Sequence, residues 1–145
     1  MRGRTAVAQA KLAYRLFRPR FSGPRWEALA ARGARLQLPL WASTSTKNPA
    51  YTDTLYVDQL IGPDTVNTMP EQTIAAFEDH ARLSRTVDAS VDEADEVFHR
   101  LDRLGVDIGD VGEALEDQGV AGFAKSYDGL LAMLTAKAGE LAGQR

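Results

Sequence analysis

Leu36-Gln37-Leu38-Pro39-Leu40-Trp41-Ala42 runs straight into Ser43-Thr44-Ser45-Thr46-Lys47-Asn48-Pro49. The first half reads as a strand, because Leu36, Leu38 and Leu40 alternate with Gln37 and Pro39 before Trp41. Pro39 cannot donate a ladder hydrogen bond. It therefore suits the start of a strand whose central residues are Leu40 to Ser43, and it argues against the middle of an antiparallel sheet. The second half is a polar loop at the C-terminal end of that strand. A buried-looking strand between helices, ending in such a loop, is α/β grammar.

Helical patterns lie on both sides. Val7, Ala10, Tyr14, Phe17 and Phe21 recur at steps of three and four, with Pro19 expected to end or kink the helix. Ser22-Gly23-Pro24 reads as the start of a short second helix carrying Trp26, Leu29 and Ala30, and Gly33 should stop it. Thr54 to Val57 is a second short strand candidate, and Gly62-Pro63-Asp64 a turn. Thr68-Met69-Pro70-Glu71 matches a capping box that opens a helix with the face Ile74, Phe77 and Ala81. Ser90-Val91-Asp92-Glu93 matches a second one, with a stripe of Val91, Ala94, Val97, Phe98, Leu101 and Leu104 and a stop at Gly105. Ile108, Val111 and Leu115 make another helix closed by Gly119. Val120, Phe123, Tyr127, Leu130 and Leu134 make a last one. Helices dominate, and two short strands cannot close a sheet. Either the protein is essentially helical or part of an α/β fold is missing.

With 145 residues one domain is the natural prior. The absence of cysteine excludes disulfides and thiolate metal sites. No apolar run approaches the roughly 20 residues needed to span a bilayer. Lys11 and Arg15 interrupt what would be the apolar core of a signal peptide, so a cytoplasmic protein is the expectation. The net charge of −3 is unevenly spread, with nine Arg and Lys against the single acid Glu27 in residues 1–35. A helix face balanced by acids elsewhere accounts for this better than nucleic-acid binding, since no stacking platform or nucleic-acid motif accompanies the arginines. His80 and His99 fall on separate helices with no metal-ligand spacing, so no metal site is expected. Lys11, Lys125 and Lys137 lie on helical patterns and are expected on exposed faces. Trp26, Trp41 and Tyr56 are expected in the core.

The stretch from Pro39 to Tyr51 resembles the transaldolase family, specifically its long-chain, actinobacterial-type branch. The resemblance continues through Asp53-Thr54-Leu55-Tyr56-Val57 and through Leu60 to Glu71. It reaches back to Ala10-Lys11-Leu12-Ala13-Tyr14 and Phe21 to Trp26, and forward to Leu115-Glu116-Asp117-Gln118-Gly119-Val120. It implies a parallel (β/α)8 TIM barrel with its active site at the C-terminal ends of the strands. It also implies transfer of a dihydroxyacetone unit between sugar phosphates in the pentose phosphate pathway. The mechanism it implies is a Schiff base on a lysine, with no metal or organic cofactor.

The family's lysine sits in a motif resembling Lys-Ile-Pro-Ala-Thr on a middle strand, and no such motif occurs here. Residues 1–145 are therefore expected to form a single partial domain, the C-terminal fragment of a barrel, mostly helical with one or two short strands. In that expectation 1–35 are helices, 36–48 the last barrel strand and its loop, and 70–143 the C-terminal helices. No catalytic lysine is expected in this chain. Lys47 follows four polar residues, which is not the desolvated setting that depresses an amine.

Ser43, Ser45 and Lys47 stand where barrel strands present binding groups, and hydroxyls with one cation can orient a sugar phosphate. The expectation is thus a truncated or split-gene transaldolase, inactive alone, whose partners are sugar phosphates once the missing barrel half is supplied. Self-association through uncovered surfaces is also expected. The alternative is a non-catalytic helical interaction module derived from the same family.

Overall fold

Helix α1, Thr5–Arg20, carries the stripe that the spacing anticipates. Val7, Tyr14 and Phe17 are buried and form one cluster with Leu60 and Val87. Ala10, Phe21, Leu36, Trp41 and Tyr56 pack against that cluster. Pro19 falls in the last turn, and the helix closes at Arg20. A computed structural model describes residues 2–143. The chain divides into two compact units, Met1–Arg100 and Leu101–Arg145.

In the first unit α2, Gly23–Ala30, joins α1 through a run of rings. Tyr14, Phe17, Phe21 and Trp26 follow one another at centroid distances of 5.8, 5.1 and 4.9 Å, the last pair edge to face. Such offset and edge-on pairs are the favoured aromatic geometries. Gly33 ends α2 as expected. At φ 91° its N–H reaches the Ala30 carbonyl, while the Ala34 N–H reaches that of Leu29. This is the left-handed closure for which glycine is preferred.

Strand β1 is Leu40–Trp41 and pairs in parallel with β2, Val66–Asn67, Leu40 facing Val66 and Trp41 facing Asn67. The Val66 N–H donates to the Pro39 carbonyl at 2.9 Å and the Thr68 N–H to that of Trp41 at 3.0 Å. Pro39 thus serves the ladder through its carbonyl alone. The expected strand Leu36–Ala42 shrinks to the two residues beyond that proline. Parallel strands need a long crossover, here residues 42–65. A strand therefore follows the 36–48 segment.

The expected strand at Thr54–Val57 is a helix instead, α3, Leu55–Asp58. Val57 and Leu60 are both buried, and residues three apart share a face only in a helix. The loop after α4 returns to this point. Thr86 and Val87 both donate backbone N–H groups to the Ile61 carbonyl, and Thr86 Oγ1 donates to the Asp58 carbonyl at 2.6 Å. Val87 is fully buried and lies over Gly62 so closely that a Cβ there would stand 2.1 Å from Val87 Cγ1.

Helix α4, Glu71–His80, starts at Pro70 rather than in a capping box. Thr68 is drawn away because its hydroxyl donates to the Trp41 carbonyl at 3.2 Å. Thr73 is the buried residue of α4, and Ile74, expected on the inner face, is exposed. Helix α5, Val91–Arg103, begins where its capping box puts it. Ser90 has φ 52° rather than the extended conformation usual for an N-cap. Ala94 and Val97 are the buried residues of its stripe.

The basic front of the chain meets acids from α5. Arg4 pairs with Glu93 at 3.0 Å, and Arg15 grips both carboxylate oxygens of Asp95. Lys11 departs from expectation, since it is only 7% exposed and its ammonium donates to the Ala89 carbonyl at 2.8 Å. Burial pushes this amine below the ordinary lysine range, against the opposing pull of Glu93 and Asp88.

In the second unit the Gly105 stop is as expected. Gly105, at φ 75°, donates to the Asp102 carbonyl and Val106 to that of Leu101. Gly119 stops nothing. Helix α6 runs unbroken over Ile108–Ala142, so the two expected helices are one. Glycine ends a helix when it takes a left-handed turn, as Gly105 does. Where it keeps helical dihedrals it only weakens the helix, by about 1 kcal/mol relative to alanine. Asp107 caps α6, its carboxylate accepting from the Gly109 N–H at 2.7 Å. Phe123, Tyr127, Leu130 and Leu134 are exposed, as are Val111, Leu115 and Val120.

The described residues are thus mostly helical, with two short strands. Replacing Gly62 with alanine is expected to destabilise the first unit by about 2 kcal/mol, the cost of overpacking. Urea unfolding followed by fluorescence of Trp26 and Trp41, both in that unit, measures it. The double change Gly62→Ala, Val87→Ala should lose less than the two single changes added together.

Candidate functional site

The polar loop starts at the C-terminal end of β1 with an abrupt change of direction. Ser43 has φ 56°, a conformation that non-glycine residues seldom adopt. It breaks the strand alternation and lets the loop turn across the end of β2. Thr44 fixes that turn. It is 3% exposed, and its Oγ1 lies 2.8 Å from Asn67 Oδ1 and 3.0 Å from the Thr68 carbonyl oxygen. The single hydroxyl proton serves one of them at a time. Farther on, the Asn48 side chain accepts from the Ala50 N–H at 3.0 Å, and its carbonyl accepts from the Tyr51 N–H. The loop is therefore tied across the strand ends at Thr44 and locally at Asn48.

Between these ties Ser43, Ser45 and Lys47 line one open cavity of about 400 Å³ with Thr68, Met69 and Pro70. The three sequence-predicted residues are thus brought together, at the C-terminal ends of two adjacent parallel strands. Ser43 and Lys47 are exposed and Ser45 is half-buried. None of the ion pairs among the described residues uses Lys47. Two hydroxyls and an ammonium with no acid to neutralise it make an anion-accepting surface.

Asn67, Thr68 and Met69 were not singled out as site residues. The one signal that could have found them is the β2 pairing, which brings the end of that strand beside the loop. The three aromatic residues expected in the core reach it only in part. Trp41 and Tyr56 pack against the core cluster while staying half-buried, and Trp26 is also half-buried. No group of acids and histidines among the described residues has the arrangement of a metal site.

The crossover behind the loop is anchored by His80. Its Nε2 lies 2.8 Å from Asp53 Oδ1 and its Nδ1 3.0 Å from Asp79 Oδ2. The hydrogen bond to Asp53, then that to Asp79, raises the imidazole above its ordinary pKa, and the same bond lowers that of Asp53.

The family model described as Transaldolase/Fructose-6-phosphate aldolase matches residues 1–134. The chain is 50% identical over 140 residues to the transaldolase of Frankia alni, covering 96% of this chain and 38% of that protein. It is 50% identical over 143 residues to the transaldolase of a Parafrankia species, covering 98% of this chain and 39% of the relative. It is 50% identical over 134 residues to that of Thiobacillus denitrificans, covering 92% and 37%. The chain thus spans well under half the length of these relatives. No helix among the described residues is long and apolar enough to cross a membrane.

Thr44→Val keeps the shape of the side chain but removes the one proton that the Asn67 side-chain oxygen and the Thr68 carbonyl share. It should cost about 1–2 kcal/mol and speed hydrogen exchange at the amides of residues 43–47, both measurable on the isolated chain. The His80 contribution is full below its unfolded pKa and fades as pH rises through the higher folded value. The Asp53 contribution is present above its unfolded pKa and fades as pH falls through its lowered one. The tie between them should therefore be strongest in the window between. Titration of His80 by NMR should give a midpoint above the ordinary histidine value, and Asp53→Asn should bring it part of the way back, with Asp79 still in place.

Proposed function

This chain belongs to the transaldolase/fructose-6-phosphate aldolase family, and from that premise we propose that it supplies the C-terminal part of a (β/α)8 barrel. That barrel moves a dihydroxyacetone unit between sugar phosphates. In this reading residues 1–145 are one partial domain, with β1 and β2 as neighbouring barrel strands and α4 to α6 as the C-terminal helices. The observation that carries it is the parallel pairing of β1 and β2, with Ser43, Ser45 and Lys47 gathered on one cavity at their C-terminal ends. Parallel barrels present their binding groups at that face.

Lys47 is the phosphate partner, with the Ser43 and Ser45 hydroxyls orienting the same group. An ammonium binds phosphate as a point charge, which suits a site open to solvent. Lys47 is not the Schiff-base lysine. A nucleophilic amine needs to be partly unprotonated, which desolvation arranges, and the exposed loop offers none. The motif that would bear that lysine is absent from these residues, so the chain by itself does not turn over. The reaction calls for no metal or organic cofactor, and a cytoplasmic setting suits it. The pairing of Arg4 and Arg15 with α5 acids supports a balanced helix face rather than a nucleic-acid surface.

A second reading, a non-catalytic module that docks or self-associates through helix faces, is favoured by the apolar side chains exposed along α6. It calls for a chain that associates yet gains nothing in activity from the rest of a barrel.

Purified chain incubated with fructose 6-phosphate and borohydride should keep its mass, while a full-length relative treated alongside gains a sugar-derived adduct. An adduct on Lys47 would sink the proposal. A chimera in which this chain replaces the matching segment of the Frankia alni transaldolase should be active. In it Lys47→Ala should raise KM for the sugar phosphate about tenfold with kcat little changed, as expected for the loss of one charge-assisted contact worth about 1.4 kcal/mol. An inactive but well-folded chimera favours the second reading.

A further inference from the structure

A second cavity, of about 400 Å³, is bounded by α1, α3 and residues 86–97. Val7, Ala8, Leu55, Ala94 and Val97 give it apolar walls, and Lys11 lines it with its amine held at the carbonyl of Ala89, another lining residue. Its volume falls within the range of small-molecule sites, and so does its mix of apolar walls and few polar groups. It shares no lining residue with the Ser43–Lys47 cavity.

Three of the other polar side chains around it are already engaged. Arg4 and Glu93 hold each other at 3.0 Å. The Thr86 hydroxyl donates to the Asp58 carbonyl and accepts from the Ile61 N–H. Lys11 gives one hydrogen bond, to the Ala89 carbonyl. Three donors on an ammonium leave two protons free of protein partners there. Burial makes the amine easier to deprotonate, with Glu93 and Asp88 as the charges that resist. A desolvated lysine on an apolar cavity is the setting in which a primary amine becomes a nucleophile.

We propose that this cavity is a site where Lys11 Nζ forms an imine with a small uncharged aldehyde. The ammonium first yields a proton to water. The free amine then attacks the carbonyl carbon, and the carbinolamine loses its hydroxyl as water to leave the C=N bond. Nothing is oxidised or reduced in forming it. An uncharged partner fits because the walls are largely apolar and the one acid of the lining, Glu93, is already paired with Arg4. The site is independent of the phosphate-binding loop.

The test is limited labelling of the full chain with glyceraldehyde and cyanoborohydride, which supplies hydride to fix the imine as a secondary amine, followed by peptide mapping. Lys11 should carry about fivefold more label than Lys47, Lys125 or Lys137, and unfolding in urea should erase the preference. Lys11→Arg keeps a donor for the Ala89 carbonyl and should remain folded by circular dichroism while the label at position 11 disappears. Labelling of Lys11 equal to or below that of the other three lysines in the folded chain would overturn the proposal and leave Lys11 as a strut between α1 and the Ala89 loop.

Discussion

The Met1–Arg100 unit depends on the burial of one stripe of α1. Val7, Tyr14 and Phe17 supply the floor onto which Leu60 and Val87 close. Each such side chain removed from water contributes about 2 kcal/mol, and no other helix of the unit contributes three large buried residues. The stripe also carries the polar ties. The Tyr14 hydroxyl donates to the Pro63 carbonyl at 3.0 Å, which pins the turn before β2, and Lys11 holds the Ala89 carbonyl before α5. A parallel ladder two residues long has no stability of its own. Trp41 packs on the α1 cluster and thereby fixes β1, and β1 fixes β2. The loop at their ends inherits its position from a helix it does not belong to.

Much of this was written in apolar spacing. The stripe of α1, the stops at Gly33 and Gly105 and the start of α5 all follow from rules that act within a few residues. What escaped the sequence depends on contacts made farther away. Thr54 to Val57 has the composition of a strand, but Val57 and Leu60, three apart, are both buried, and a helical turn puts both inside. Val66–Asn67 is too short to carry a periodic signal, and only its partner Leu40–Trp41 makes it a strand. Thr68 could have been a helix cap had the Trp41 carbonyl not claimed its hydroxyl. Lys11 reads as a solvent-facing charge because nothing in its neighbours announces that residues some eighty positions away will cover it. Gly119 and Gly105 are the same residue type, and only backbone handedness separates a stop from a pass.

The candidate site was legible in a different way. Ser43, Ser45 and Lys47 were singled out by their place after a strand, and they do share a cavity. Thr68, Met69 and Pro70 complete that cavity from just beyond the second strand, so half of the lining required the fold. The Thr44 hydroxyl is the piece that turns a polar sequence into a shaped surface. It joins the two strand ends on the buried side while its neighbours Ser43 and Ser45 keep their hydroxyls for the cavity. A loop of hydroxyl-bearing residues can in this way divide its labour by accessibility alone.

Helix α6 has a consequence of another kind. Gly112, Gly119, Gly122, Gly129 and Gly139 all sit inside it, and all five have open space where a side chain would be. Relative to alanine they remove roughly 5 kcal/mol of intrinsic helix preference, and most helical stability in proteins comes from packing rather than preference. The order of α6 is therefore set by whatever its apolar side rests against. In a cell, proteases take hold where opening costs least. A long glycine-bearing helix with an uncovered apolar side is then a turnover signal, and covering that side conceals it. Lifetime, rather than activity, is then the quantity most sensitive to whether that side is covered.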